Sequence, residues 1–199
     1  MKPLDQLTQA DIRSPILAPS IQIHHQRIES LALDSQVPDE IRRHFEVARD
    51  LLLFSWFVYE FIPAAELHAY SSVEFALRLT AETHAPNRKS HSLARLLRYA
   101  VDEGWIVDRG FRQFRRIEEG RQQSMRIWAE VIGQPTSLPT QTDPQGYAKI
   151  ILNSIPYFRN KLAHGSSFLS PHGYLSLELC RDIINQLFMQ PFQGIKASA

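Results

Sequence analysis

The run Leu67-His68-Ala69-Tyr70-Ser71-Ser72-Val73-Glu74-Phe75-Ala76-Leu77-Arg78-Leu79-Thr80-Ala81 decides the fold class of this chain. Its apolar positions Leu67, Tyr70, Val73, Leu77 and Ala81 recur at spacings of three and four. That is the period of one helix face, not the two-residue alternation of a strand. Phe75, Ala76 and Leu79 widen the apolar face.

The same period extends in both directions. Upstream, Pro38-Asp39-Glu40 reads as a helix start, with an early proline and acids in the first turn. Ile41, Phe45, Val47, Ala48, Leu51, Leu52, Phe54 and Val58 continue it, and Pro63 is expected to break or kink it. The most apolar run, Leu51 to Tyr59, is bounded by Asp50 and Glu60. It is far short of the roughly 20 residues of a membrane span and reads as a helix buried on most sides. Downstream, Ser92 to Val101 reads as a short helix ended near Gly104. A longer helix follows from near Phe111 to Ile132, with Gly120 inside it, stopped by Gly133-Gln134-Pro135. Thr136 to Pro144 reads as a loop. One helix is then expected from near Gln145 to His164, and a last one opens at Ser170-Pro171. Six helical segments with almost no strand pattern predict an all-α bundle over residues 38–190.

Residues 1–37 read differently. Pro3, Pro15, Pro19 and Pro38 punctuate them, and the segments Ile21 to His24 and Ile28 to Leu33 alternate loosely. They are expected to form an N-terminal arm of short extended pieces packed on the main body. Residues 191–199 are expected to be a flexible tail.

Composition bounds the function. The chain has 199 residues, 44% hydrophobic and 22% charged, in line with one ordinary globular domain. Its 22 Lys+Arg against 21 Asp+Glu leave a net charge of +1. A protein that coats nucleic acid by bulk electrostatics would be far more basic, so any such contact must be local. Cys180 is the single cysteine and can form neither an internal disulfide nor a thiolate zinc cluster. One free thiol and a first segment without a signal-peptide core predict a cytoplasmic protein with no membrane association. No Gly-rich phosphate loop, G-x-S-x-G elbow or H-E-x-x-H is present. The histidines do not pair at metal-ligand spacing; His24 and His25, on a strand, would point to opposite faces. No metal or cofactor is expected.

Two stretches carry chemistry. The first, Asp108 to Arg126, holds six arginines against three acids, with Phe111 and Phe114 interleaved. It reads either as a phosphate-tracking face, with Arg112 and Arg116 as substrate contacts, or as a solvated helix face whose phenylalanines belong to the core. Arginine rather than lysine suits phosphate, because the guanidinium fork matches phosphate oxygens. The second is Tyr157-Phe158-Arg159-Asn160-Lys161-Leu162-Ala163-His164-Gly165. Cations in a last helical turn followed by glycine also make an ordinary C-terminus. At roughly 100° per residue from Phe158, Ile151, Ile155 and Leu162 fall within about 60°, one core-facing stripe. Arg159, Ala163, Asn160 and His164 then share the arc from about 100° to 240°, away from it. Asn160 and His164 lie one turn apart, close enough for the amide to orient the imidazole.

The segment Arg159-Asn160-Lys161-Leu162-Ala163-His164-Gly165 resembles the R-N-x-x-A-H-G form of the Arg-x(4–6)-His motif of HEPN domains. Ala69 to Arg78 is similar to an early long helix of such domains, and His91 to Leu97 with Gly104-Trp105-Ile106 to the short helix and turn that follow. The likeness covers about residues 38–190. It implies a metal-independent endoribonuclease with a toxin-like role in defence or stress response, and a homodimer in which two motifs face one shared cleft. His164 would be the acid/base group, Arg159 would bind the scissile phosphate, and Asn160 would orient either. Lys161 would add a substrate contact. The products would be a 2′,3′-cyclic phosphate and a 5′-OH. An antitoxin or another regulatory partner is also implied, although Ser166 stands where some toxin members carry a tyrosine. The alternative within the family is a non-catalytic module that binds a partner protein or RNA.

Overall fold

The computed structural model describes residues 2–88, 91–132, 145–164 and 171–189. Among them the three- and four-residue spacing is realised as eight α-helices, and there is no strand. They are α1 (Ser14–Leu17), α2 (Ile21–Glu29), α3 (Asp39–Phe54), α4 (Phe61–His84), α5 (Leu93–Asp102), α6 (Arg112–Ile132), α7 (Gly146–Ala163) and α8 (Gly173–Met189). The all-α architecture agrees with the periodicity, and α3 to α8 correspond to the six expected segments.

The helix of the decisive run, α4, is the hub. It packs against α3, α5, α7 and α8. Ala65, Ala69, Val73, Ala76 and Ala81 are buried along it, and small side chains let the neighbouring helices approach closely. The start of α8 comes so close that a Cβ at Gly173 would lie 2.8 Å from Ile62 and 2.9 Å from Leu52. Glycine is required there by space.

Pro63 does not break a helix. The break comes at Ser55, whose hydroxyl donates to the Leu52 carbonyl at 2.6 Å, and a turn with buried Trp56 and Tyr59 leads into α4. Pro63 is the third residue of α4, where a backbone N–H has no helical partner in any case. Within the apolar run Leu52, Ser55, Trp56 and Tyr59 are buried and Phe54 is exposed, and the helix ends at Phe54 rather than running through to Tyr59.

The N-terminal arm is helical, not extended. Ser20 caps α2, its side chain accepting from Ile23 N at 3.3 Å. His24 and Ile28 form the buried face, four residues apart, while Ile23 is exposed. The polar His24 on the buried side is what hid the helical period. Its ring is bonded to the Leu52 carbonyl at 2.9 Å, and Ile28, Leu31 and Val37 join the same core as α3 to α8.

Two local devices place the later helices. Gly104 has φ +72° and closes α5, with Trp105 N donating to Ala100 O and Gly104 N to Val101 O. This is the Schellman pattern, which needs the left-handed residue. Asp108 is buried just before α6, and its two oxygens accept from Tyr147 N (3.1 Å) and Ala148 N (2.8 Å). A carboxylate 39 residues upstream in sequence thus caps the start of α7. Among the described residues no helix is long and apolar enough to cross a membrane. The loop at 136–144 and the tail at 191–199 lie outside the described residues.

Candidate functional site

The site is the last turn and a half of α7. Ala148, Ile151 and Ile155 anchor this helix in the core, with Leu152 and Leu162 packed against it. α7 runs through Pro156, which gives up only its own bond to the Leu152 carbonyl.

The buried stripe is rotated from its expected position. Phe158 is 42% exposed, and Arg159 is the half-buried one. Measured from Ile155, Ala148 and Arg159 lie about 20° and 40° round the helix, so Arg159 leans toward the core. The reason is that α7 packs against α4 as well as α5, and α4 offers Glu74. One Arg159 nitrogen lies 3.3 Å from Glu74 Oε2, and the other end donates to Asn160 Oδ1 at 3.3 Å. Arg159 Nε is enclosed and has no hydrogen-bond partner among the described residues. Glu74 also accepts from Arg78 at 2.6 Å. One carboxylate is shared by two guanidinium groups. The Arg159 contact is the longer, outside the 2.7–2.9 Å usual for a strong ion pair.

Asn160, Lys161, Ala163 and His164 are exposed, as the outward arc requires. His164 is the C-terminal cap residue, its N–H donating to Asn160 O at 3.0 Å. The Asn160 carboxamide holds Arg159 rather than the imidazole. The glycine and serine at 165 and 166 lie outside the described residues.

The sequence reading missed two features. Glu74 carries no local mark beyond standing four residues before Arg78; its link to Arg159, 85 residues away, is tertiary. The second is an exposed row that leads from two large apolar side chains to the histidine. Ile150 (66% exposed), Tyr157 (59%) and His164 are spaced by seven residues, about 20° apart in azimuth, so they line up along the outer face. The Tyr157 and Phe158 rings meet edge to face at 5.4 Å, and Lys161 Nζ lies 5.9 Å from the Tyr157 ring centre. Spacing by seven was visible in the sequence, but the exposure of Ile150 and Tyr157 was not.

Arg112 and Arg116 sit elsewhere, along α8. Arg116 makes a two-pronged bond to buried Glu178, both distances 3.0 Å, which holds its guanidinium even more firmly cationic. Arg112 N donates to Asp182 at 2.7 Å. Phe111 is buried and Phe114 packs against the core, both against Tyr147, so the interleaved phenylalanines are structural. No bond or contact among the described residues joins these arginines to Arg159 or His164. Among the described residues no group of three His, Cys, Asp or Glu could hold a metal ion.

A cation, an amide and an imidazole thus stand on one helix end, with Arg159 held to Asn160 and His164 exposed beyond them; groups of these types can bind a phosphate and move a proton. Comparison with known proteins gives no match: no family model, no curated protein and no solved structure is similar to this chain.

Proposed function

We propose that the chain is a HEPN-type endoribonuclease that cuts RNA without a metal ion, acting as a homodimer in defence or stress. The observation that carries this reading is the outward end of α7, where Asn160, Lys161 and His164 are exposed beside Arg159. His164 removes the proton from a ribose 2′-OH or supplies one to the leaving 5′-oxygen, and two protomers bring one imidazole for each task. The 2′-oxygen attacks phosphorus, the bond to the 5′-oxygen breaks, and a 2′,3′-cyclic phosphate and a 5′-OH result. Arg159 stabilises the charge that builds on the phosphoryl oxygens, and Lys161 holds a neighbouring phosphate. The exposed Tyr157 ring offers a surface on which a base can stack.

The test is incubation of the purified protein with mixed RNA in EDTA. Fragments ending in 2′,3′-cyclic phosphate are expected, and His164→Ala is expected to lower their yield at least about a hundredfold, the scale of a lost general acid/base. Cleavage that survives His164→Ala would overturn the assignment.

One observation favours a second reading, a non-catalytic HEPN module that binds a protein or RNA. Arg159 is half-buried and tied to Glu74, as a structural arginine would be. RNA binding without cleavage, under every condition that keeps the protein folded, would select it.

A further inference from the structure

We propose that the cleft between residues 32–35, the start of α6 and α8 binds a small phosphate ester; this goes beyond the ribonuclease reading and does not depend on it. The cleft has a volume of about 630 Å³, within the range of small-molecule sites.

Its floor is rigid and neutral. Arg181 is 1% exposed, donates to Asp182 through Nε at 3.1 Å and through a second nitrogen, and reaches the Ser30 carbonyl at 2.9 Å. The other Asp182 oxygen accepts from Arg112 N. The carboxylate is therefore fully used by the floor itself.

The rim carries two arginines that have no acidic partner among the described residues. Among the described residues, Arg112 and Arg115 meet only backbone carbonyls, Ser30 O and Arg109 O, each at 3.5 Å. That is the outer limit of a hydrogen bond. Neighbouring Arg116 and Arg121, by contrast, each have a glutamate. Two guanidinium groups held so loosely over one cleft suit a phosphoryl group, which takes several N–H donors in fork geometry.

The inner wall adds two oriented amides. Gln186 is buried, and its amide oxygen accepts from Val107 N at 2.8 Å. Its NH2 is thereby fixed as the other end; that nitrogen is enclosed, without a partner among the described residues, and meets a ligand only when the side chain turns toward the cleft. A methyl group at Gly110 would overlap this amide, so glycine leaves room for it. The Asn185 amide oxygen likewise accepts from Asp34 N at 3.0 Å, which makes its NH2 the remaining end. Asp34 takes Gln36 N on one oxygen, and the other can accept a hydroxyl. Guanidinium and amide donors for an oxyanion, together with a carboxylate acceptor for a hydroxyl, suit a phosphorylated polyol or sugar. A continuous RNA strand, with a negative charge on every nucleotide, fits less well beside the Asp34 carboxylate.

Calorimetric titration of the full chain with ribose 5-phosphate, ribose and inorganic phosphate tests this. One-to-one binding of ribose 5-phosphate is expected, at least about tenfold tighter than inorganic phosphate, with none by ribose. Arg115→Glu reverses an exposed rim charge and is expected to weaken binding at least about tenfold at an unchanged melting temperature. His164→Ala should leave the binding intact, which separates this site from the proposed cutting site. Absence of binding, equal binding of inorganic phosphate, or retention by Arg115→Glu would overturn the proposal. So would competition in which only single-stranded RNA, and no small ester, occupies the cleft.

Discussion

A single carboxylate, Glu74, links the hub helix to the candidate site. It holds Arg159 at 3.3 Å and Arg78 at 2.6 Å, and so sets where the Arg159 guanidinium can reach. Positioning of a phosphate-binding group is worth large factors in rate, whereas a partly exposed ion pair is worth little in stability. Glu74→Gln is therefore expected to lower RNA cleavage by about tenfold or more while the melting temperature moves by no more than about 2 °C. An unchanged cleavage rate would mean that the pair only packs α4 against α7. Arg116→Ala tests a different kind of contact. It leaves Glu178 buried with, among the described residues, only Tyr174 OH at 3.5 Å as a hydrogen-bond partner, and a loss of about 1 kcal/mol in chemical denaturation is expected, reduced because Arg116 itself is largely exposed.

At the scale of elements, α7 is aimed by its N-terminus. Its first amides are held by Asp108, a buried residue of the turn that precedes α6. Asp108→Ala leaves two helix-end donors unpaired away from water, at a cost of about 2 kcal/mol. Urea unfolding should read that loss. Amide exchange along α7 should rise more than along α4 or α8, because only α7 loses its cap. Uniform exchange across all three helices would count against this local role. Helix α6 shows the same economy of contact: its basic residues divide between Glu178, the cleft wall and its own turn, so its charge run is not one continuous face.

The whole molecule carries two histidines that burial keeps neutral. Desolvation lowers His24, under its bond to Leu52 O, and His44, whose ring stacks on His68 at 4.2 Å. Their folded values lie below the ordinary 6.5, so the unfolded chain binds more protons between the two. Stability is then full above about pH 6.5 and falls as the pH drops through it. The melting temperature should be lower at pH 5.5 than at pH 7.5, and His44→Gln should shrink that difference. An undiminished difference in the variant would remove His44 from the account. Burial raises Glu66 from its ordinary 4.5, and Glu66 works in the opposite direction, losing stability as the pH rises through its folded value. The proposed dimer is a property of this scale too. Ala163→Trp places a bulky ring on the exposed motif face, and sedimentation should then show a weakened dimer. An unaltered dimer would put the shared cleft on another face.

Much of the bundle was legible because α3 to α8 each repeat apolar residues at helical spacing, and that spacing is a local property of the chain. The Asp39 start of α3 and the end of α5 at Gly104 were equally local, fixed by cap chemistry within a few residues. The α2 helix was not legible, since a histidine occupies its buried face and only the Leu52 carbonyl, brought there by α3, makes that burial tolerable. In the motif, residue identity and an exposed His164 followed from sequence. The tilt of Arg159 did not, because it depends on which helix lies beside α7 and what that helix carries. Sequence by itself determined the helices and the chemical groups at the end of α7, through short-range periodicity and capping. Only tertiary structure decided that Glu74 faces Arg159, that Glu178 neutralises Arg116, and that Arg112 and Arg115 overhang a cleft, because charges far apart in the chain pair only after the helices have packed.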